Sequence, residues 1–112
     1  MPTTYKILGQ SAPAVNTDTN CYTVPAATQT IISSIIVCNR SNDDATFRVW
    51  VAANGAANAN NQYIYYDVAI AGNDTFIATV GITIDAADVV RVRGGGTGGG
   101  SLTFNLFGSE IT

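Results

Sequence analysis

The chain contains no histidine, one lysine and two cysteines, so it has few groups that carry out catalysis or bind metals. A nucleophile activated by a neighbouring base cannot be assembled, because histidine is absent and Lys6 is the only amine side chain. Two thiols without histidine also supply too few soft ligands for zinc. We therefore expect no enzyme activity and propose no catalytic, cofactor-binding or metal-binding residue.

Charge of either sign is also scarce. Charged residues make up 12% of the chain, about half the usual share of roughly 25%. The net charge of −3 argues against nucleic-acid binding, which needs clustered lysine and arginine. Arg91 and Arg93 form a pair on one strand face and not a basic patch. Thr, Asn, Ser, Gly and Ala must therefore cover the surface, a composition suited to flat β surfaces and protein–protein contacts.

Long apolar runs are missing as well. No segment reaches the roughly 18–20 continuous apolar residues that span a membrane, and residues 1–6 lack the features of a secretory signal. We expect synthesis in a cytoplasm, no export by the general route and no membrane association.

The two cysteines, Cys21 and Cys38, are predicted to lie on neighbouring strands. If Pro25–Thr28 makes the turn between those strands, Cys21 faces a residue near Ile32 and not Cys38. The favoured interpretation is two separate, mostly buried thiols that act as small apolar residues. A disulfide within one chain or between chains is the alternative.

What the sequence does have is a series of short β-branched and aromatic segments cut by Asn, Asp, Gly and Pro. They predict one domain, residues 1–112, that is all-β: an antiparallel β-sandwich of about eight strands, of jelly-roll or Greek-key type. Gly81 is predicted to form a bulge or bend in the sixth strand. The predicted strands are Thr4–Leu8, Cys21–Val24, Thr28–Asn39, Thr46–Val51, Tyr63–Ile70, Thr75–Ile84, Val89–Arg93 and Leu102–Phe107.

The longest predicted strand, Thr28–Asn39, is apolar on both faces. Simple alternation places Ile31, Ile35 and Val37 on one face and Ile32, Ile36 and Cys38 on the other. One sandwich core can use only one of these faces, so the second is expected to pack against another subunit or a covering loop. The candidate interface residues are Ile32, Ile36, Trp50, Tyr63, Tyr65, Tyr66 and Phe107.

Other candidate sites have simpler interpretations. Gly94–Gly100 lacks the lysine and following helix of a phosphate-binding loop, so it is predicted to be a flexible hairpin tip. The carboxylate pairs Asp43–Asp44 and Asp85–Asp88 fit turns better than a calcium loop. Asp67 has no second acid for glycoside hydrolysis, so it is expected to be solvated or paired with an arginine.

Four aromatic residues on strands, Trp50, Tyr63, Tyr65 and Tyr66, allow two interpretations. They could form a platform that stacks on a sugar. Aromatic residues on strands more often belong to a core or an interface, and we favour that interpretation.

Nearly the whole chain resembles small structural proteins of tailed-phage virions. The resemblance lies in strand and turn residues: Thr4–Gln10, Tyr22–Gln29, Val37–Arg40, Tyr65–Val68, Asn73–Phe76 and Leu102–Ile111. The glycine run departs from this pattern. The resemblance implies a structural role in the virion as capsid decoration or cement protein or as a neck, collar or tail component. It implies a β-sandwich homo-oligomer, with a trimer as the expected order, assembled in the bacterial host cytoplasm.

The expected partners are therefore copies of the chain itself and other virion proteins, such as the major capsid, neck or tail proteins. The alternative function is a receptor- or glycan-binding module of a phage tail fibre, which requires exposed Trp50 or tyrosine rings. An enzyme would need a cleft with two convergent acids.

Overall fold

A computed structural model describes residues 2–112, which form eight strands and three short 3₁₀ turns. The predicted number of strands is confirmed, and the bounds differ mainly at strand ends. The strands are β1 (Thr3–Ser11), β2 (Thr19–Thr23), β3 (Gln29–Asn39), β4 (Ala45–Ala52), β5 (Tyr63–Ile70), β6 (Thr75–Ile84), β7 (Val89–Gly95) and β8 (Leu102–Ile111).

The strands form two four-stranded antiparallel sheets. The first sheet has the order β1-β8-β3-β6, and the second has the order β2-β7-β4-β5. Six of the seven connections between described strands therefore lead from one sheet to the other. The connection from β4 to β5 is the one that stays within a sheet. This double Greek-key order is that of a jelly roll, so the predicted fold class is confirmed.

The core lies between the two sheets and is built from alternate positions of their central strands. Phe47 of β4 is its centre: its ring lies 5.0 Å from Phe76 and 6.2 Å from Phe104, between ring centroids. Ile35 and Val37 of β3 are fully buried beside it. Burying rings and branched side chains is the main stabilising contribution in such a sandwich.

A line of bulges crosses the first sheet and changes which residues of β3 face the core. The register shifts between Ile32 and Ser34 against both neighbouring strands, and β6 accommodates the shift at Val80–Gly81. The predicted bulge at Gly81 agrees with this irregularity.

This bulge overturns the predicted faces of β3. Ile32 faces the core together with Ile35 and Val37, and all three are fully buried. Ile31 therefore lies on the outer side with Ile36 and Cys38. The prediction that Ile32 is an interface residue was wrong, because simple alternation fails across the extra residue Ser33.

The glycine run is a packed turn and not the loose hairpin tip that the sequence predicted. Gly94 and Gly95 end β7, and Gly98 and Gly99 are buried. The Gly98 amide donates to the Asp44 carbonyl at 3.0 Å. A Cβ on Gly94 would collide with the carbonyl oxygen of Gly99, so close backbone approach explains these glycines.

Candidate functional site: the outer faces of the two sheets

The outer face of the first sheet carries no charged strand residue. Four rows of paired residues run across it, for example Ile77–Ile36–Asn105–Gln10 and Thr79–Ser34–Phe107–Ile7. We call this surface the uncharged face. It is formed by Tyr5, Ile7, Gln10, Ile31, Ser34, Ile36, Cys38, Thr75, Ile77, Thr79, Thr83, Thr103, Asn105, Phe107 and Ser109.

Large apolar side chains on the uncharged face are open to solvent. Tyr5 is 84% exposed, Ile77 67% and Ile7 51%, while Ile36 and Phe107 are half-buried among their neighbours. Four strands about 4.8 Å apart and about ten residues long give a face of roughly 600 Å². Threonine, serine, asparagine and glutamine side chains lie among the apolar ones, so the exposed apolar area is smaller than the whole face. Exposed apolar side chains gathered on one surface mark interaction sites on soluble proteins.

The charged residues of the strands lie elsewhere. Lys6 and Glu110, which belong to the first sheet, pair with each other at 3.2 Å on the core side. Arg40 lies at the border of the uncharged face, where its Nε donates to Thr103 Oγ1 at 2.9 Å. The three other arginines, Arg48, Arg91 and Arg93, all belong to the second sheet.

The outer face of the second sheet, which we call the arginine face, is partly covered by the loop of residues 53–62. Arg91 fixes this loop by donating to the carbonyl oxygens of Gly55 and Ala56 and to Asn58 Oδ1 at 2.7–3.2 Å. Trp50 lies underneath and donates from Nε1 to Asn58 Oδ1 at 2.9 Å. Its side chain is fully buried, so the prediction that Trp50 contributes to an interface was wrong.

Arg48 is held on the arginine face by an acid and by an aromatic ring. Its Nε and Nη2 donate to the two carboxylate oxygens of Asp67 at 2.7 and 3.2 Å. Its guanidinium carbon lies 4.1 Å from the Tyr66 ring centroid, a cation–π contact. The Arg48 hydrogen bonds hold the pKa of Asp67 below its ordinary value, and they raise the pKa of Arg48. Asp67 is therefore paired with an arginine, one of its two predicted states.

The three tyrosines of the predicted site lie in different surroundings. Tyr65 packs against the core, with its ring 5.2 Å from that of Phe76. Tyr63 contacts Trp50, with ring centroids 5.3 Å apart, and Tyr66 edge-on at 4.8 Å. Of the three, only Tyr66 is exposed, so these residues do not form an exposed aromatic platform of several rings.

The predicted site residues are thus divided among the core and the two faces. Ile36 and Phe107 are together on the uncharged face, one row apart. Sequence reasoning missed Tyr5, Ile7 and Ile77, the most exposed members of this face. The sequence did contain a sign that Ile77 is exposed: the other outward positions of β6 are threonines, so an isoleucine among them is an apolar residue on the solvent side.

Cys21 and Cys38 belong to different sheets and are free in the structure. The prediction that they lie on neighbouring strands was wrong, because the chain crosses to the other sheet after Pro25. Cys21 packs against the core, and burial raises its pKa to about 11. Cys38 is half-buried on the uncharged face, where a disulfide between chains stays a prediction.

The carboxylates of the acidic turns accept hydrogen bonds from backbone amides. Asp88 accepts from the amides of Asn54 and Asp85 at 2.9 and 2.8 Å, and Asp44 accepts from Gly72 at 3.3 Å. Among residues 2–112, no group of three or more cysteine and acidic side chains is placed to hold a metal ion.

Comparison with known proteins identifies no relative: no protein-family model, curated protein or solved structure matches the chain. Within the described residues, no helix has the length and apolar character needed to cross a bilayer.

Proposed function

We propose that the chain is a non-enzymatic structural protein of a tailed-phage virion that assembles through the uncharged face. The observation that supports this most strongly is the contrast between the two sheets. Charged strand residues lie on the core side or on the arginine face, while the uncharged face leaves Tyr5, Ile7 and Ile77 open to solvent. An apolar surface of this kind is stabilised when another protein covers it.

Copies of the chain are the proposed occupants of the uncharged face. In a trimer, three such faces of roughly 600 Å² each would bury about 1,800 Å² in total around the symmetry axis. Threonine, asparagine and aromatic side chains make complementary surfaces without matched charges. In the expected trimer, three uncharged faces would enclose a common apolar centre around the three-fold axis.

The virion setting rests on the resemblance of the strand and turn residues to phage structural proteins. The proposed stations are the capsid surface, as decoration or cement, and the neck or collar. The tail-fibre alternative cannot use Trp50 as a sugar-stacking ring, because the loop of residues 53–62 buries it.

Cryo-electron microscopy of intact particles of the phage that encodes the chain tests this proposal. We expect symmetric density into which the sandwich fits, with the uncharged face in contact with neighbouring subunits. Particles in which the chain is absent by mass spectrometry, or in which that face points to solvent, would contradict the proposal.

A further inference from the structure

The two edge strands of the first sheet, β1 and β6, carry all of its large exposed apolar side chains. Tyr5 and Ile7 lie on β1, Ile77 lies on β6, and each of them is more than half exposed. The central strands β3 and β8 carry no large apolar side chain that is exposed to this extent. These side chains are therefore divided between two opposite borders of the uncharged face, and a contact between opposite borders of neighbouring copies brings them together.

Backbone groups at the β6 edge are unpaired. The Asn39 amide donates to the Asp74 carbonyl at 2.9 Å, and hydrogen-bonded pairs occur at every second position of an antiparallel ladder. By this alternation, Ile77 and Thr79 direct their amides and carbonyls away from β3. Within residues 2–112 no strand lies on that side of β6, so these groups are open to a strand of another chain.

The open part of β1 has the same arrangement. The Thr112 amide donates to the Pro2 carbonyl at 3.1 Å, so the same alternation directs the amides and carbonyls of Tyr5 and Ile7 away from β8. At Gly9 the strand approaches β2 so closely that a Cβ would collide with it, so the open edge ends there. At both edges, the unpaired backbone groups therefore include those of the exposed apolar residues.

The first sheet lacks most of the features that prevent edge strands from pairing with another chain. β6 contains no charged residue and no proline, and its irregularity at Val80–Gly81 lies beyond the segment 75–79. The one charged residue of β1, Lys6, lies on the core side and is paired with Glu110. In the second sheet, by contrast, β2 has only 5 residues and β5 is interrupted by register shifts.

We propose that β6 of one copy pairs antiparallel with β1 of the next copy, so that the first sheets of three copies join into a closed ring with their uncharged faces inward. In the order β1-β8-β3-β6 all neighbours are antiparallel, so β1 and β6 run in opposite directions and the pairing keeps the uncharged faces on one side. Ile77 lies opposite Ile7, and Thr79 lies opposite Tyr5. Each of these pairs exchanges its amide and carbonyl hydrogen bonds.

The exposed side chains favour this head-to-tail contact over a two-fold contact between two β6 strands. A two-fold contact covers Ile77 and leaves Tyr5 and Ile7 open, whereas the head-to-tail contact covers all three. Head-to-tail contacts also close into rings, and three copies give the expected trimer. The register follows from the open segments, because β2 already closes β1 at Gly9. This contact rests on the proposed assembly of copies through the uncharged face, and it specifies the strands that meet.

Cysteine cross-linking tests the contact with the double variant Ile7→Cys/Ile77→Cys, which also carries Cys38→Ala to remove the thiol of the uncharged face. Opposite residues of such a pair have Cα atoms about 5.5 Å apart, within reach of a disulfide. Within one copy the two positions lie on opposite edges of the sheet, roughly 14 Å apart, so a disulfide can only join different copies. We expect the oxidised protein to run as a covalent trimer on a non-reducing SDS gel and as a monomer after reduction.

The single variants Ile7→Cys and Ile77→Cys, each with Cys38→Ala, are the matched controls and should form no covalent oligomer. A disulfide dimer of the Ile77→Cys single variant would indicate the two-fold contact and overturn the proposal. Sedimentation of the wild type separates this proposal from the assembly on which it rests. If the wild type is an oligomer but the double variant forms no covalent trimer, the strand pairing alone is overturned. A monomeric wild type overturns both.

Thr79→Pro tests the backbone hydrogen bonds of the contact. Proline removes the outward amide of residue 79 without removing a hydrogen bond to β3, and such positions accept proline on edge strands. We expect self-association at least about ten-fold weaker than that of the wild type, because the carbonyl of Tyr5 in the next copy loses its donor. Thr79→Val keeps the amide and should associate as the wild type does. Circular dichroism checks the fold, and a folded Thr79→Pro protein with wild-type association would contradict the proposal.

Discussion

At the scale of single residues, Glu110 carries its charge on the core side of the first sheet and is stabilised there by two donors. Tyr22 donates its hydroxyl to Glu110 Oε2 at 2.6 Å, and Lys6 Nζ donates to Oε1 at 3.2 Å. These hydrogen bonds hold the pKa of Glu110 below its ordinary value. Burial and the same hydrogen bond raise the pKa of Tyr22 to about 12. Tyr22 connects the two sheets through this contact and through its 2.7 Å hydrogen bond with the Thr30 hydroxyl.

Glu110 should make folding stability depend on acidic pH. Because its pKa is lower in the folded chain than in the unfolded chain, its contribution is present above its ordinary pKa and is lost as pH falls through the folded value. We expect Glu110→Gln to lower the free energy of unfolding at pH 7 by about 1–2 kcal/mol. Its stability should also fall less than that of the wild type between pH 7 and pH 3. Urea unfolding at both pH values measures this.

Asp43→Asn is the control for this prediction, since the Asp43 carboxylate is exposed and makes no hydrogen bond within the described residues. It should leave the free energy of unfolding within about 0.5 kcal/mol of the wild type. Equal pH dependence of Glu110→Gln and wild type would mean that the Glu110 hydrogen bonds do not stabilise the fold.

Asn58 is the residue that joins the loop of residues 53–62 to Trp50. Its Oδ1 accepts from Trp50 and Arg91, and its Nδ2 donates to Asp18 at 2.9 Å. We expect Asn58→Ala to loosen the loop and admit water to the indole. Because Trp50 is the only tryptophan, its fluorescence emission should move to longer wavelength. Asn61→Ala, in the same loop at an exposed position, should emit as the wild type does, and identical spectra for all three proteins would contradict this account.

At the scale of strands, bulges and close backbone contacts decide which side chains face outward. Gly108 of β8 lies where β3 is irregular, and a Cβ there would collide with the carbonyl oxygen of Ile31 and approach Leu8 Cδ1 at 3.0 Å. Gly81 of β6 has no atom within 4 Å of an added Cβ. The two glycines therefore have different roles in the same sheet.

Alanine at these two positions should have opposite effects. Gly108→Ala is expected to lower the free energy of unfolding by about 1–3 kcal/mol, because the strands must separate to admit the methyl group. Gly81→Ala is expected to be neutral or to stabilise by up to about 1 kcal/mol, because alanine restricts the unfolded chain. Thermal and urea unfolding of both variants measure the difference, and a Gly108→Ala protein as stable as Gly81→Ala would contradict the packing described.

The strands themselves could be predicted from the sequence, because alternating β-branched residues and Asn/Asp/Gly/Pro turns mark them. The faces of β3 could not, because the extra residue Ser33 has no sequence signature and inverts the alternation. The pairing of β2 also could not be predicted. The turn at Pro25 has the sequence of a hairpin between β2 and β3, but it leads the chain into the other sheet, and β2 pairs with β7. Sequence pattern reports local periodicity, while strand order depends on long-range packing.

At the scale of the whole molecule, the two outer faces differ in charge: the uncharged face exposes apolar side chains, and the arginine face carries the arginines of the strands. Composition predicted a surface poor in charge. The pattern of β3 predicted apolar residues on both of its sides, although it assigned Ile31 and Ile32 to the wrong sides. Composition could not show that Arg48, Arg91 and Arg93 lie together on the other sheet, where Arg91 holds the loop of residues 53–62 over Trp50. That arrangement depends on the register of β4 against β7, which the chain sets over a long sequence separation.

A lysine in the uncharged face should prevent self-association without unfolding the chain. Ile77 is suited to this test, because it is 67% exposed and on the edge strand β6. Ile77→Lys places a charge that must lose its water when the faces meet. Ile64 of β5 is 46% exposed on the other sheet and provides the matched control, Ile64→Lys.

Sedimentation velocity of the wild type, Ile77→Lys and Ile64→Lys at the same concentration tests most directly whether the uncharged face is the surface of assembly. We expect the wild type and Ile64→Lys to sediment as oligomers, with a trimer mass, and Ile77→Lys to sediment as a monomer with unchanged far-ultraviolet circular dichroism. A monomeric wild type at about 100 μM, well above the Kd of specific complexes, would contradict the account. An Ile77→Lys protein that keeps the wild-type mass would contradict it equally.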